Sequence, residues 1–199
     1  QCGADYVFAP SVEEMYPTKD NRHFEFPPVT TVMEGAHRPG HFNGVCQVVS
    51  RLFYIVRPDR AYFGQKDAQQ LATIRRFVRD LNFGVEIIAC PIVREEDGLA
   101  KSSRNTYLNA EERKAALVLS QSLKIGKELI ENGERDSKVV IETIKTALEK
   151  EPLARVDYVE VVDFENIQRV DKIHGETLVA IAVYIGKTRL IDNFIVDVR

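Results

Sequence analysis

The stretch that most limits what this chain can become is "VEIIACPIV", residues 85–93. Nine residues with one charge and no polar alternation read as a strand covered on both faces, the habit of parallel sheets. The segments before it fit that frame. Phe42, Val45, Val48, Val49, Leu52, Phe53 and Val56 recur at helical spacing, so 42–56 reads as a helix with one apolar face, stopped by Pro58. "AYFG" (61–64) is a short strand ending in glycine, and Leu71, Ile74, Phe77, Val78 and Leu81 then mark the core face of a second helix. Helix, strand, helix, strand in this order is part of a doubly wound α/β parallel sheet.

Upstream, residues 5–9 (Asp-Tyr-Val-Phe-Ala) read as a buried strand ended by Pro10, "SVEEMYP" as a turn or short helical piece, and 17–31 as an excursion loop with a short strand at Val29–Met33. After Asn105 the character changes. "LNAEERKAALVLSQSLKIGKELIENGE" reads as one long amphipathic helix, its start marked by Asn109 ahead of Glu111 and Glu112. A second helix covers 137–150. "RVDYVEVVD" alternates as a half-buried strand, and "TLVAIAVYIGKTRLIDNFIV" as a hairpin turning near Gly186 and Lys187. Two helices and three antiparallel strands make a small α+β domain, so the expected division is 1–105 and 106–199.

Bulk properties narrow the function. With 199 residues, 44% of them hydrophobic, the chain can bury a sizeable core. A formal net charge of -3 has the wrong sign for a general nucleic-acid coat. Cys2, Cys46 and Cys90 are odd in number and form no CxxC pair, so neither a disulfide framework nor a zinc site is suggested, and a reducing cytoplasm fits. No apolar run approaches the ~20 residues of a membrane span. The start has no signal-peptide pattern and no initiator Met, and reads as a chain beginning partway through a larger protein.

Two donor-rich segments follow the strands. In "FGQKDAQQ" (63–70), Gly64 ends a strand while Gln65, Lys66 and Asp67 open a helix. Ligands of open parallel sheets bind outside the carboxyl ends of strands, and helix N-termini favour anions. Lys66 suits phosphate, and Gln70 lies one turn on, on the same side. "REEDGLAKSSRN" (94–105) leaves the end of the next strand, with Ser102, Ser103 and Arg104 as donors and Gly98 giving the loop freedom to close. The bland readings are a solvated helix start and a polar interdomain linker. His37 and His41 are separated by Pro39 and Gly40, so they read as a turn rather than a metal pair, and no serine sits in a GxSxG setting.

"RPGHFNGV", "AYFGQKDAQQ" and "REEDGLAKSSRNTYL", in this order, closely resemble the pantoate–β-alanine ligase family, over essentially the whole chain. The resemblance implies a partial Rossmann-like HxGH nucleotidyltransferase domain followed by the small α+β domain. It implies ATP and Mg2+, with pantoate and β-alanine as co-substrates, and a cytoplasmic homodimer that touches neither nucleic acid nor membrane. Pantoate and ATP would give pantoyl-adenylate and pyrophosphate; β-alanine would then release AMP. Residue by residue, Phe63, Gly64, Lys66 and Asp67 match the segment lining the ATP site, Lys66 toward phosphate and Gly64 and Asp67 toward ribose. Gln70 matches the pantoate glutamine, Val93 an apolar position beside adenine, and Ser102, Ser103 and Arg104 a phosphate-gripping loop. Lys101 departs from the family's frequent methionine. The HxGH and NPxQF segments of the family lie upstream of residue 1, so this chain alone is expected to be nearly inactive. Another nucleotidyltransferase of the same fold, or a non-catalytic module, stays open as an alternative.

Overall fold

The structure, a computed structural model, describes residues 3–199. A single helical turn, α1 (Val12–Met15), is closed by a capping box in which Ser11 and Glu14 satisfy each other's backbone N–H. Another short turn, α2 (Glu34–His37), leads into α3 (His41–Val56), which buries Phe42, Cys46, Val49 and Phe53 along one stripe. Strand β1 (Arg60–Gly64) follows, then a 3-10 turn over Gln65–Asp67 and helix α4 (Ala68–Asp80), then β2 (Glu86–Cys90). β1 and β2 pair in parallel from Arg60↔Glu86 to Gly64↔Cys90. Both strands therefore end at the same edge, and both donor-rich segments leave from that edge.

The second half contains α5 (Ala110–Ala115), α6 (Leu117–Glu131) and α7 (Ser137–Leu148). Strands β3 (Ala154–Asp163), β4 (Gly175–Ile185) and β5 (Thr188–Val198) then form an antiparallel sheet with β4 in the middle. β4 is covered on both sides. Val179, Ile181, Val183 and Ile185 pack with α6 and α7, while the alternate residues Leu178 and Ala180 pack with Ala68, Leu71 and Ala72 of α4. One sheet is thus shared by the helices of its own half and by α4 of the first half. A third cluster, around Cys46, Ile74 and Phe77, joins α3 to α4.

Several expectations change. Residues 5–9 are not a strand: Tyr6 is 95% exposed, and no strand among the described residues pairs with them. A buried strand needs ladder partners for its backbone groups, and here none is supplied. Val29–Met33 is a series of turns, held by the Phe26 N–H donating to Thr30 Oγ1 at 2.9 Å, although Val29 itself is fully buried. The apolar run 85–93 yields only the five-residue β2, half-buried rather than covered on both faces. Pro91 has no N–H with which to continue the ladder. Leu81 caps α4 and is exposed. The long helix after Asn109 breaks at Ala116 into α5 and α6, though Asn109 does cap its start, accepting from the Glu111 and Glu112 N–H groups at 3.0 and 2.9 Å.

Candidate active site

A cavity of about 210 Å³ opens where the carboxyl end of β1 meets the antiparallel sheet. Its walls come from four places: the segment from Met33 to Phe42, the start of α4, the loop 102–104, and the inner faces of β3, β4 and β5. Of the residues singled out from sequence, Lys66, Asp67, Gln70, Ser102, Ser103 and Arg104 share this wall. Phe63, Gly64, Val93 and Lys101 do not. Phe63 packs into the two clusters beneath the sheet. Gly64 ends β1 with open space where a side chain would stand. Val93 is exposed, and Lys101 approaches Glu95 at 3.7 Å.

The loop between Val93 and Asn105 is not free. Arg94 and Ala100 face each other as an antiparallel bridge, and the Lys101 N–H donates to the Val93 carbonyl at 2.9 Å. Gly98 turns this small hairpin with φ +93°, a conformation that costs a residue with a side chain. Ser102 then caps the 3-10 turn Ser103–Tyr107 by accepting from the Arg104 N–H at 3.2 Å. Arg104 Nη1 donates to the Arg189 carbonyl at 3.2 Å, which anchors the loop's cation to β5.

β5 also fixes the other donor-rich segment. Asn193 Nδ2 donates to the carbonyls of Gln65 and Lys66 at 3.1 and 3.0 Å. Its neighbour Asp192, buried at 2% exposure, receives Arg94 through both guanidinium nitrogens at 2.7 and 3.0 Å. Two adjacent residues of one strand hold both loops.

The opposite wall depends on Gln69, which is buried. Its Nε2 donates to the carbonyls of Val29 and Val32, each at 2.8 Å, and its Oε1 accepts from the Glu34 N–H at 2.9 Å. Met33, just before Glu34, has φ +47° and ψ −117°, a strained backbone for a residue with a side chain. The Glu34 carboxylate accepts from Arg189 Nη1 and Nη2 at 3.0 and 2.7 Å and from the Tyr158 hydroxyl at 3.0 Å. Burial alone would raise the Glu34 carboxyl; the Arg189 hydrogen bonds and charge outweigh it and hold it below its ordinary value. Burial and the Glu34 charge together push the Tyr158 hydroxyl upward. At the mouth of α3, His41 Nε2 lies 3.1 Å from Arg38 Nη1. Burial first, and the Arg38 charge second, lower the His41 imidazole, so it is neutral near pH 7.

Sequence reasoning missed Glu34, Arg38, His41, Gln69, Tyr158 and the pair Asp192–Asn193. "HRPGH" read only as a turn, and the strand residues read only as alternation. The one available signal was polarity at positions due to face inward, as at Asp192 and Asn193 in an otherwise apolar hairpin. Among the described residues no group of three or more His, Cys, Asp or Glu converges as metal ligands would.

The comparisons with known proteins agree with this architecture. A sequence model of the family described as Pantoate-beta-alanine ligase matches residues 1–195. Pantothenate synthetase of Clostridium acetobutylicum is 57% identical over 194 residues, 98% of this chain and 69% of that protein. The crystal structure of pantothenate synthetase from Thermus thermophilus superposes with a TM-score of 0.90 at 45% identity, covering 96% of this chain and 70% of that one. A pantoate-beta-alanine ligase from Francisella tularensis, solved with β,γ-ATP and β-alanine, gives a TM-score of 0.65 at 30% identity over 92% of this chain and 61% of that one. The fold is the α/β one expected, a parallel sheet followed by a smaller antiparallel one, and the chain belongs to the pantoate–β-alanine ligase family.

Proposed function

We propose that the cavity takes pantoate, ATP and β-alanine in turn, and that the reaction runs through pantoyl-adenylate. One observation carries this reading. Arg38, Lys66 and Arg104 all line the cavity, and among the described residues none is paired with a carboxylate. Three cations lining one cleft concentrate positive potential there and favour a polyanionic ligand. Of the three acids lining the cavity, Glu34 is engaged by Arg189 and Asp192 by Arg94, and only Asp67 is in no salt bridge among the described residues, so the three cations stay in excess.

In this reading a pantoate carboxylate oxygen attacks the α-phosphorus of ATP and pyrophosphate departs. The amine of β-alanine then attacks the acyl carbon, and AMP departs. Charge grows on the phosphoryl oxygens and the leaving group, so catalysis is mainly positioning and charge stabilisation. Lys66 serves the phosphates. Ser102, Ser103 and Arg104 form the opposing grip, with Gly64 and Asp67 toward the ribose and Gln70 on pantoate. Phe63, Val93 and Lys101, which stand outside the cavity wall, are assigned to the surroundings of the adenosine, where the nucleotide extends beyond the walled space. Mg2+ enters with ATP, since a hard cation of this kind prefers phosphate oxygens to a protein cage. Residues 106–199 act as a cover over residues 1–105, keeping water from the adenylate. The active species is a cytoplasmic homodimer.

The sequence in hand contains no HxGH segment. We assign to such a segment part of the charge stabilisation, so this 199-residue chain supports little adenylation by itself. Pantoate-dependent ATP–pyrophosphate exchange tests both statements. Exchange absent from the chain but restored with an HxGH-bearing N-terminal part fused ahead of it supports the reading. Rapid exchange on the bare chain overturns the claim of inactivity, and exchange that ignores pantoate overturns the substrate assignment.

A further inference from the structure

The Arg189 side chain lies almost wholly buried at the seam between the two halves of the molecule, at 10% exposure. Its guanidinium makes two contacts with Glu34 and two with Asp157, the latter at 2.9 and 2.8 Å. Its carbonyl accepts Arg104 from the donor loop. Glu34 in turn accepts the Tyr158 hydroxyl. One residue of β5 is therefore bonded, directly or through Glu34, to three separate parts of the cavity wall.

The segment it grips needs holding. Met33 sits at positive φ immediately before Glu34. Gly35, immediately after, packs so closely on the Thr30 carbonyl that a side chain there would collide with it. Glu34 is fastened from two sides, by Gln69 at its backbone N–H and by Arg189 at its carboxylate. Strained backbone persists only where its surroundings over-determine it. Release of either fastening frees Met33 to relax, and Arg38 and His41, carried on the same short segment, would move with it.

We propose that Arg189 is a positioning residue for this cavity: its double bond to Glu34 fixes the Met33–His41 wall, while its carbonyl sets Arg104, so the two walls are aligned by one side chain and its backbone. The identity of the ligand rests on the function proposed above; the alignment itself does not.

The test compares the 199-residue chain with its Arg189→Met, Arg189→Lys and Glu34→Gln variants. Backbone hydrogen exchange is followed by mass spectrometry and ATP affinity by calorimetry. The expected result is at least tenfold faster exchange confined to residues 33–41 in Arg189→Met and Glu34→Gln. Arg189→Lys should recover part of the protection, because lysine keeps the charge but not the planar fork. Exchange unchanged at 33–41 overturns the proposal. So does exchange raised uniformly across the chain, which marks Arg189 as a general prop. If Arg189→Met does not fold, Glu34→Gln, nearly isosteric, decides by the same criterion. Where the wild-type chain binds ATP, affinity at least tenfold weaker in both variants supports the proposal, and unaltered affinity overturns it. A wild-type chain that binds no ATP counts against the assigned ligand, and the exchange result then decides the role of Arg189.

Discussion

Arg94 and Asp192, 98 residues apart, meet through two near-parallel hydrogen bonds of 2.7 and 3.0 Å, with the carboxylate almost fully buried. The pair ties the start of the donor loop to the last strand. Removing one partner leaves the other charge in a poorly solvated place. Arg94→Met should therefore destabilise the fold by about 3 kcal/mol. Replacing both, as Arg94→Met with Asp192→Leu, should restore much of the loss, because no charge is then stranded. Urea unfolding of the two variants checks this; equal losses in single and double variants would show that a stranded charge is not the source of the loss.

Lys66 and Arg104 face the same cavity from different loops. In a form of the protein competent for adenylation, each Ala variant should lower pantoate-dependent pyrophosphate exchange by roughly 10²-fold while leaving the melting temperature in place. Arg104 also donates to the Arg189 carbonyl, so Arg104→Lys should recover less than the retained charge alone would suggest. Exchange unaffected by Lys66→Ala would remove that residue from the mechanism.

The Glu34 carboxyl is held below its ordinary value: burial works to raise it, and the Arg189 hydrogen bonds and charge outweigh that effect. A carboxyl depressed in the folded state contributes stability above its unfolded pKa, and that contribution disappears as the pH falls through the folded value. The stability gap between the wild type and Glu34→Gln should thus be full at pH 7 and shrink steadily below about pH 4.5. Chemical unfolding across that range reads it directly. A gap of the same size at pH 7 and pH 3 would mean that ionisation of Glu34 plays no part.

Gly126 of α6 lies against α7 so closely that an added Cβ would stand 2.5 Å from Ile144 Cδ1. Ile144 is fully buried and has little room to yield. Gly126→Ala gains helix propensity of about 1 kcal/mol but overpacks the contact, typically by 1–3 kcal/mol, so a net loss is expected. Gly126→Ala combined with Ile144→Val should be more stable than Gly126→Ala alone, as judged by thermal unfolding.

Cys46 is buried in the α3–α4 cluster, and that burial pushes its thiol up to about 12. The thiolate is the reactive form, so alkylation of Cys46 at pH 8 should be negligible in the folded protein and rapid in denaturant. Peptide mapping after iodoacetamide treatment separates it from Cys90, which is half-buried. Fast labelling of Cys46 under native conditions would show that the α3–α4 contact opens readily.

The local character of this chain was written in short-range patterns. The apolar stripe at Phe42, Val49 and Phe53 made α3, Asn109 capped α5, and Gly186 with Lys187 turned the β4–β5 hairpin; each depends on neighbours within a turn or two. Lys66, Gln70 and Ser102–Arg104 were legible for the same reason, as donors placed just after strands. What only the tertiary structure decided is who faces whom. The run 85–93 looked like the doubly covered strand, yet that place belongs to β4, sealed by α6 and α7 on one side and α4 on the other. A run of apolar residues declares that it will be buried but not which elements will bury it. Nothing in the local sequence pairs Glu34 with Arg189, or Asp192 with Arg94. Their partners lie 155 and 98 residues away, and only packing of the sheet on α4 brings them into hydrogen-bonding reach and out of water.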